Sequence, residues 1–203
     1  MKAAGYEALD GAGLDAAGGP TITLRPSGAD DAEAVAACVD AVARERRYLG
    51  NVFGFTPGET RAFLASLAER NGVQIIALAG DVVVGWCDVS PVPFEGMRHV
   101  ARLGMGLLPA YRGQGLGRRL LREVLRRAFA SGLLRIELEV FASNLAAIRL
   151  YEEEGFAAEG RKRRARILDG ARDDILVMGL LRDEWRFGNC QDATPAGVQA
   201  GQE

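Results

Sequence analysis

Histidine, lysine and cysteine are scarce in this chain. One histidine (His99), two lysines (Lys2 and Lys162) and three cysteines (Cys38, Cys87, Cys190) are spread over 203 residues. No CxxC pair occurs, and such widely spaced cysteines match neither a disulfide framework nor a zinc site. A reducing, cytoplasmic compartment fits this pattern, and no metal is expected. Long apolar runs are also missing: nothing approaches the roughly 20 residues that span a bilayer, so no membrane partner is expected. Lys2 is not followed by an apolar stretch, which argues against a secretory signal. Charge of one sign is not in excess either, with 25 basic against 27 acidic residues and a formal net charge of -2. That balance gives no global pull toward nucleic acid. No Gly-x-Ser-x-Gly occurs, so an esterase nucleophile elbow is absent. What remains, 48% hydrophobic and 26% charged residues, is the composition of an ordinary globular protein.

Residues 1–19 are rich in Gly, Ala and Asp without periodicity, and 187–203 turn polar and Gly-rich. Both are expected to be disordered, around a single domain over 20–186. Within it, 21–25 alternate as a strand. Asp30 is expected to cap a helix over 31–44 with Val35, Cys38, Val39 and Val42 on its inner face. An aromatic loop, 48–55, precedes a helix opened by the capping box of Thr56 and Glu59 and stopped at Asn71-Gly72. Strands over 73–79 and 82–89 flank a Gly80-Asp81 turn. A longer strand over 98–108, which His99 begins and Trp86 should help to bury, leads to a helix over 113–131 ended by Gly132. A strand (133–141) and a helix (144–154, stopped by Gly155) follow. Two strands, 156–164 and 175–181, close the domain around an Asp169-Gly170 turn. The order β-α-α-β-β-β-α-β-α-β-β predicts a mixed α/β fold, about seven strands in one sheet flanked by about four helices. The basic run at 161–166 reads as a solvated edge strand whose charge opposes aggregation.

The strongest local signal is Arg112-Gly113-Gln114-Gly115-Leu116-Gly117, between a predicted strand and a helix. Three glycines at alternate positions let backbone N–H groups crowd around an anion, and the helix adds unpaired N–H groups and a positive dipole end. A P-loop needs Lys-Ser/Thr after its glycines, where Arg118-Arg119 stands. The G-x-G-x-x-G template, begun at Gly113, Gly115 or Gly104, places Arg118, Leu120 or Pro109 where the third glycine belongs. Both nucleotide readings fail at defined residues.

What the loop does resemble is the acyl-CoA signature of the GNAT superfamily of N-acetyltransferases, Arg/Gln-x-x-Gly-x-Gly/Ala, here Arg112, Gly115 and Gly117. A second block, Asn144-x-x-Ala-x-x-x-Tyr151-x-x-x-Gly155-Phe156, is similar to a further pattern of that superfamily. The resemblance spans roughly residues 21–181. It implies that acetyl-CoA is held by Met105, Gly106 and Leu107 along a strand, by Arg112, Gly113, Gln114, Gly115, Leu116, Gly117 and Arg118 in the loop, and by Asn144. The strands before the loop and before Asn144 would splay apart to admit the pantetheine. Asn144 and Tyr151, seven residues apart, share one helix face. Tyr151 resembles the superfamily's general acid, and Glu139 or Glu137 would be the base. Tyr48, Phe53 and Phe55 are the candidate acceptor-binding residues, since that loop is where the superfamily diverges. His99 reads as structural. The implied reaction is acetyl transfer to a primary amine of a small molecule, an amino acid by the similarity of residues 136–162. A protein N-terminus, and a CoA-binding module without turnover, stay open as alternatives, and so does a homodimer.

Overall fold

The computed structural model describes residues 21–187; the expectations for 1–19 and for the tail beyond 187, Cys190 included, lie outside the described residues. The elements are β1 (Ile22–Pro26), α1 (Ala32–Ala43), α2 (Pro57–Glu69), β2 (Val73–Ala79), β3 (Val82–Pro91), β4 (Val100–Leu107), α3 (Leu116–Ala130), β5 (Arg135–Phe141), α4 (Leu145–Glu153), β6 (Ala157–Leu168) and β7 (Ala171–Leu181). The seven strands form one mixed sheet in the order β1-β2-β3-β4-β5-β7-β6. The expected fold class holds, and the basic run does lie on the edge strand β6.

Both faces of the sheet are covered. On one, Leu120, Leu121, Val124 and Leu125 of α3 are fully buried against Ile75, Cys87, Ala101, Leu103, Ile136 and Leu138. On the other, Val35, Cys38 and Val42 of α1 pack on Ile76, Val83 and Trp86, so Trp86 is core as expected. Each fully buried aliphatic side chain contributes about 1.5–3 kcal/mol.

Several boundaries differ from the sequence expectation for local reasons. The cap of α1 is Asp31, not Asp30, because residues Ala29–Asp31 form a short tight turn. Its carboxylate accepts from the Gly28 N–H and from Arg25, both at 2.7 Å. Helix α3 begins at Leu116 rather than at 113, because Gly113 (φ 72°) and Gly115 (φ 79°) adopt left-handed backbone that an α-helix does not use. Strands β6 and β7 run to the Asp169-Gly170 turn instead of stopping at 164 and starting at 175. The break foreseen at 164 is a bulge: Arg164 has φ 52° and the register shifts between Lys162 and Arg166.

The one parallel pairing, β4 with β5, is confined to Val100–Arg102 against Arg135–Glu137. Beyond it, β4 continues to Leu107 along β3 and β5 continues to Phe141 along β7. The two strands have parted, and α3 and α4 close the far side of the gap. Gly117 lets α3 come close: a Cβ there would lie 3.4 Å from both Leu107 and Leu150.

The helices are joined by a buried charge. Glu154, at the end of α4, is 1% exposed. It accepts from Arg122 Nε at 2.8 Å and lies 3.2 Å from Arg118 Nε, both on α3. Arg118 and Arg122 are 44% and 40% exposed, so Glu154 is the buried member, and removing an arginine leaves its charge short of a partner. Arg122→Ala is therefore expected to destabilise the fold by about 1.5–3 kcal/mol, the range for a hydrogen bond to a charged group, read as a lowered urea midpoint with an unchanged m-value.

Candidate active site

A cavity of about 890 Å³ occupies the gap between β4 and β5. One wall is β4 from Leu103 to Leu107, another is Glu139, Val140 and Phe141 of β5. The glycine loop closes one end, and the α1–α2 loop with the β6–β7 hairpin closes the other.

At the loop end, the N–H groups of residues 113–118 have no backbone acceptor; the first helical bond of α3 runs from Arg119 N to Gly115 O. Cβ atoms on Gly113 or Gly115 would meet nothing within 4 Å, so the loop borders open space there. A row of free donors at a helix N-terminus suits a diphosphate. Arg118 lines the cavity and carries its positive charge there, paired to Glu153. The donors, the gap and the space together fit the pantetheine and diphosphate of acetyl-CoA.

The structure brings most of the expected residues together. Met105, Gly106, Leu107, Arg112, Gly113, Gly115, Gly117, Arg118, Asn144, Tyr151, Glu139 and Tyr48 all line the cavity. Others turn their side chains away from it. The Gln114 amide donates to Ala110 O at 2.8 Å, and Leu116 is buried in the core. Glu137 lies between Arg102 (3.3 Å) and Arg135 (3.7 Å). Phe53 and Phe55 are 60% and 50% exposed, and the Phe53 ring carries the Arg44 guanidinium at 5.3 Å. His99 is exposed, and only its carbonyl is engaged, by Leu134 and Arg135 N–H.

Arg112 lines the cavity but turns its guanidinium toward the protein. It donates to Leu107 O (2.6 and 2.9 Å) and to both oxygens of Glu45, and it stacks 4.7 Å from the Tyr48 ring. It acts as a strut from the glycine loop to the α1–α2 loop. The Leu107 carbonyl is thereby occupied, and Gly106 faces Trp86 within the β3–β4 ladder, leaving Met105 the freer carbonyl of the expected three.

Asn144 caps α4, its Oδ1 accepting from Ala147 N at 3.3 Å, which leaves the side-chain NH₂ to donate. Tyr151, two turns on, is 6% exposed and tilts against Phe156 with ring centroids 5.7 Å apart. Burial, with a smaller contribution from Cys87, pushes its phenol above the ordinary value. It therefore stays protonated at neutral pH and has an O–H to donate. Glu139, half-exposed, is ion-paired with Lys162.

Sequence reasoning placed the 48–55 loop at the site, and Tyr48, Leu49 and Gly50 do line the cavity, but it missed the β6 side. Ala165, Arg166 and Ile167 of β6 line the cavity with Val42, Leu49 and Gly50. Arg166 donates to Arg46 O at 2.6 Å and stacks 4.4 Å over Phe141, while Arg46 and Asp169 pair at 2.6 Å. The hairpin is thus tied to the α1–α2 loop across the cavity. The one available signal was the basic run itself.

Comparison with known proteins gives the family. A family model described as the acetyltransferase (GNAT) family matches residues 39–156. The chain is 38% identical over 122 residues to N-alpha-acetyltransferase RimI of Mycobacterium tuberculosis, covering 58% of this chain and 73% of that one. It is 29% identical over 120 residues to the L-amino acid N-acetyltransferase AaaT of Escherichia coli, covering 57% and 73%. A GNAT superfamily phosphinothricin acetyltransferase from Sinorhizobium meliloti, solved in complex with acetyl-CoA, superposes with a TM-score of 0.75 at 19% identity, over 88% of this chain and 96% of that one. The chain belongs to the GNAT family and is an acetyl-CoA-dependent N-acetyltransferase.

Proposed function

We propose that the acceptor is the amine of a free amino acid. The observation that carries this reading is the pairing of opposite charges in one cavity: Glu139 and Arg166 both line it. A carboxylate and a guanidinium suit the ammonium and carboxylate of a zwitterion. The tie between Arg46, Asp169 and Arg166 supports a small acceptor, because it braces the two segments that flank the acceptor end.

The cosubstrate supplies an acetyl thioester, whose carbonyl the neutral amine attacks and whose thiolate departs. Free N–H groups of 113–118 hold the diphosphate, and the parted edge of β4 orients the pantetheine. Glu139 draws the ammonium inward. Tyr151, kept protonated by burial, donates its O–H to the leaving sulfur.

A second reading, acetylation of a protein N-terminus, is favoured by the 38% identity to RimI. A panel of free amino acids, the matching decarboxylated amines and short peptides, read by release of CoA thiol, separates the two. An amino acid should exceed its decarboxylated amine at least tenfold in kcat/KM. Peptides turning over fastest would move the assignment to the second reading.

Tyr151→Phe keeps the packing against Phe156 and removes only the O–H. A missing general acid costs about 10²- to 10⁴-fold. The leaving thiol, with a pKa of about 8.5 by analogy with cysteine, departs partly unaided, so a kcat loss of about 10²-fold is expected. Acetyl-CoA affinity by calorimetry should stay within about twofold, since that O–H acts on the leaving group rather than the bound cosubstrate.

A further inference from the structure

Three strand carboxylates stand near the point where β4 and β5 part, and two are already paired: Glu139 with Lys162, Glu137 with Arg102 and Arg135. Asp88, on β3, has no ion-pair partner among the described residues. Its register neighbours are Gln74 on β2 and Gly104 on β4. Gly104 lines the cavity, two residues past Arg102, where the β4–β5 pairing ends. The Asp88 oxygens lie 3.3 and 3.5 Å from where a Cβ on Gly104 would sit, so the carboxylate takes the space a side chain there would fill. Glycine at 104 thus leaves the Asp88 carboxylate directly beside a residue of the cavity wall.

We propose that Asp88 is the general base that takes the proton of the acceptor ammonium. Asp88 is partly buried, and burial pushes its carboxyl up to about 7, against hydrogen bonds from Gln74 and Trp86 that act the other way. A base poised near neutral pH can both accept and release a proton. Gln74 is 4% exposed and has its Oε1 unpartnered. Once Asp88 is protonated, that amide can turn and accept its O–H, so both states are accommodated. The other titratable groups on the surrounding elements are committed elsewhere. Arg102 on β4 is drawn to Glu137, Arg25 on β1 to Asp31, and Asp40 on α1 to Arg44 and the Gly54 N–H. Glu45 is bound to Arg112, and burial keeps the Cys38 and Cys87 thiols protonated. The buried residues of α2 (Thr60, Leu64, Leu67) carry no charge.

In the step, an ammonium N–H bond breaks, its electron pair stays on nitrogen and the proton passes to an Asp88 oxygen. The freed pair forms the bond to the acetyl carbon, and the C–S pair leaves on sulfur, which takes the Tyr151 proton. A second proton lost from nitrogen restores the phenol, and Asp88 releases the first to solvent. This assignment rests on the acetyltransfer activity and is the same for either acceptor class.

The test is the pH dependence of kcat/KM for wild type, Asp88→Asn and Glu139→Gln, using the acceptor turned over fastest in the panel. Wild type should show an acid limb with a midpoint near about 7, and Glu139→Gln should raise KM while keeping that midpoint. Asp88→Asn should lose about 10²-fold at pH 7, recover as pH rises and solvent supplies free amine, and bind acetyl-CoA normally. A wild-type rate and midpoint in Asp88→Asn would overturn the assignment, as would loss of the limb in Glu139→Gln alone. Carbon-13 NMR of the wild-type Asp88 carboxyl gives an answer independent of the variant's folding. Adding the acceptor without acetyl-CoA should lower its pKa, because the ammonium favours the charged form. An unmoved pKa contradicts the proposal.

Discussion

Strands β4 and β5 hydrogen-bond over three residues each and then diverge, and the rest of the molecule is arranged around that divergence. A parallel pair whose edges separate exposes backbone N–H and C=O groups that must find partners. β3 and β7 hold the outer edges of the two strands rigid, so the inner edges are free to receive a ligand that carries amides of its own. The cavity is therefore a consequence of strand pairing, and the side chains only finish it. Glycine at 104, 106 and 117 follows from the same constraint. A side chain at 106 would strike the Trp86 ring, one at 104 would crowd Asp88, and a Cβ at 117 would already touch β4 and α4.

Arginine chemistry fastens the movable pieces to this frame. Arg112 joins the glycine loop to Glu45 and Tyr48, Arg118 and Arg122 join α3 to the buried Glu154, and Arg46 and Arg166 join the α1–α2 loop to the β6–β7 hairpin. A planar guanidinium makes two directed bonds and stacks on a ring at once, which a lysine cannot do. The near absence of lysine thus has a structural counterpart. Arg112 ties the glycine loop to the α1–α2 loop, so a disturbance at Tyr48 reaches the glycine loop through it.

Much of this was legible in the sequence because it is local. The capping box at Thr56, the glycine stops, the inner faces of α1 and α3 and the Asn144–Tyr151 spacing all lie within a few turns of chain. The elements that sequence misplaced depend on distant partners or on backbone handedness. Arg112 reads as an anion ligand until Glu45, 67 residues earlier, is found beside it. The hairpin was cut short because Arg164 takes a left-handed conformation that its residue type does not announce. Phe53 and Phe55 drew attention as aromatics, yet their rings are exposed and outside the cavity. Asp88 is the one charged residue of β3, and its meaning depends on the missing side chain of Gly104 across the pairing.

The central claim, that the parted edge of β4 and the free amides of the glycine loop together hold acetyl-CoA, is tested most directly by amide hydrogen exchange with and without CoA. Exchange should slow in two segments, 104–107 and 113–118, while α2 (Pro57–Glu69) stays unchanged. Protection confined to any other surface, with these two segments exchanging as in the free protein, would contradict it.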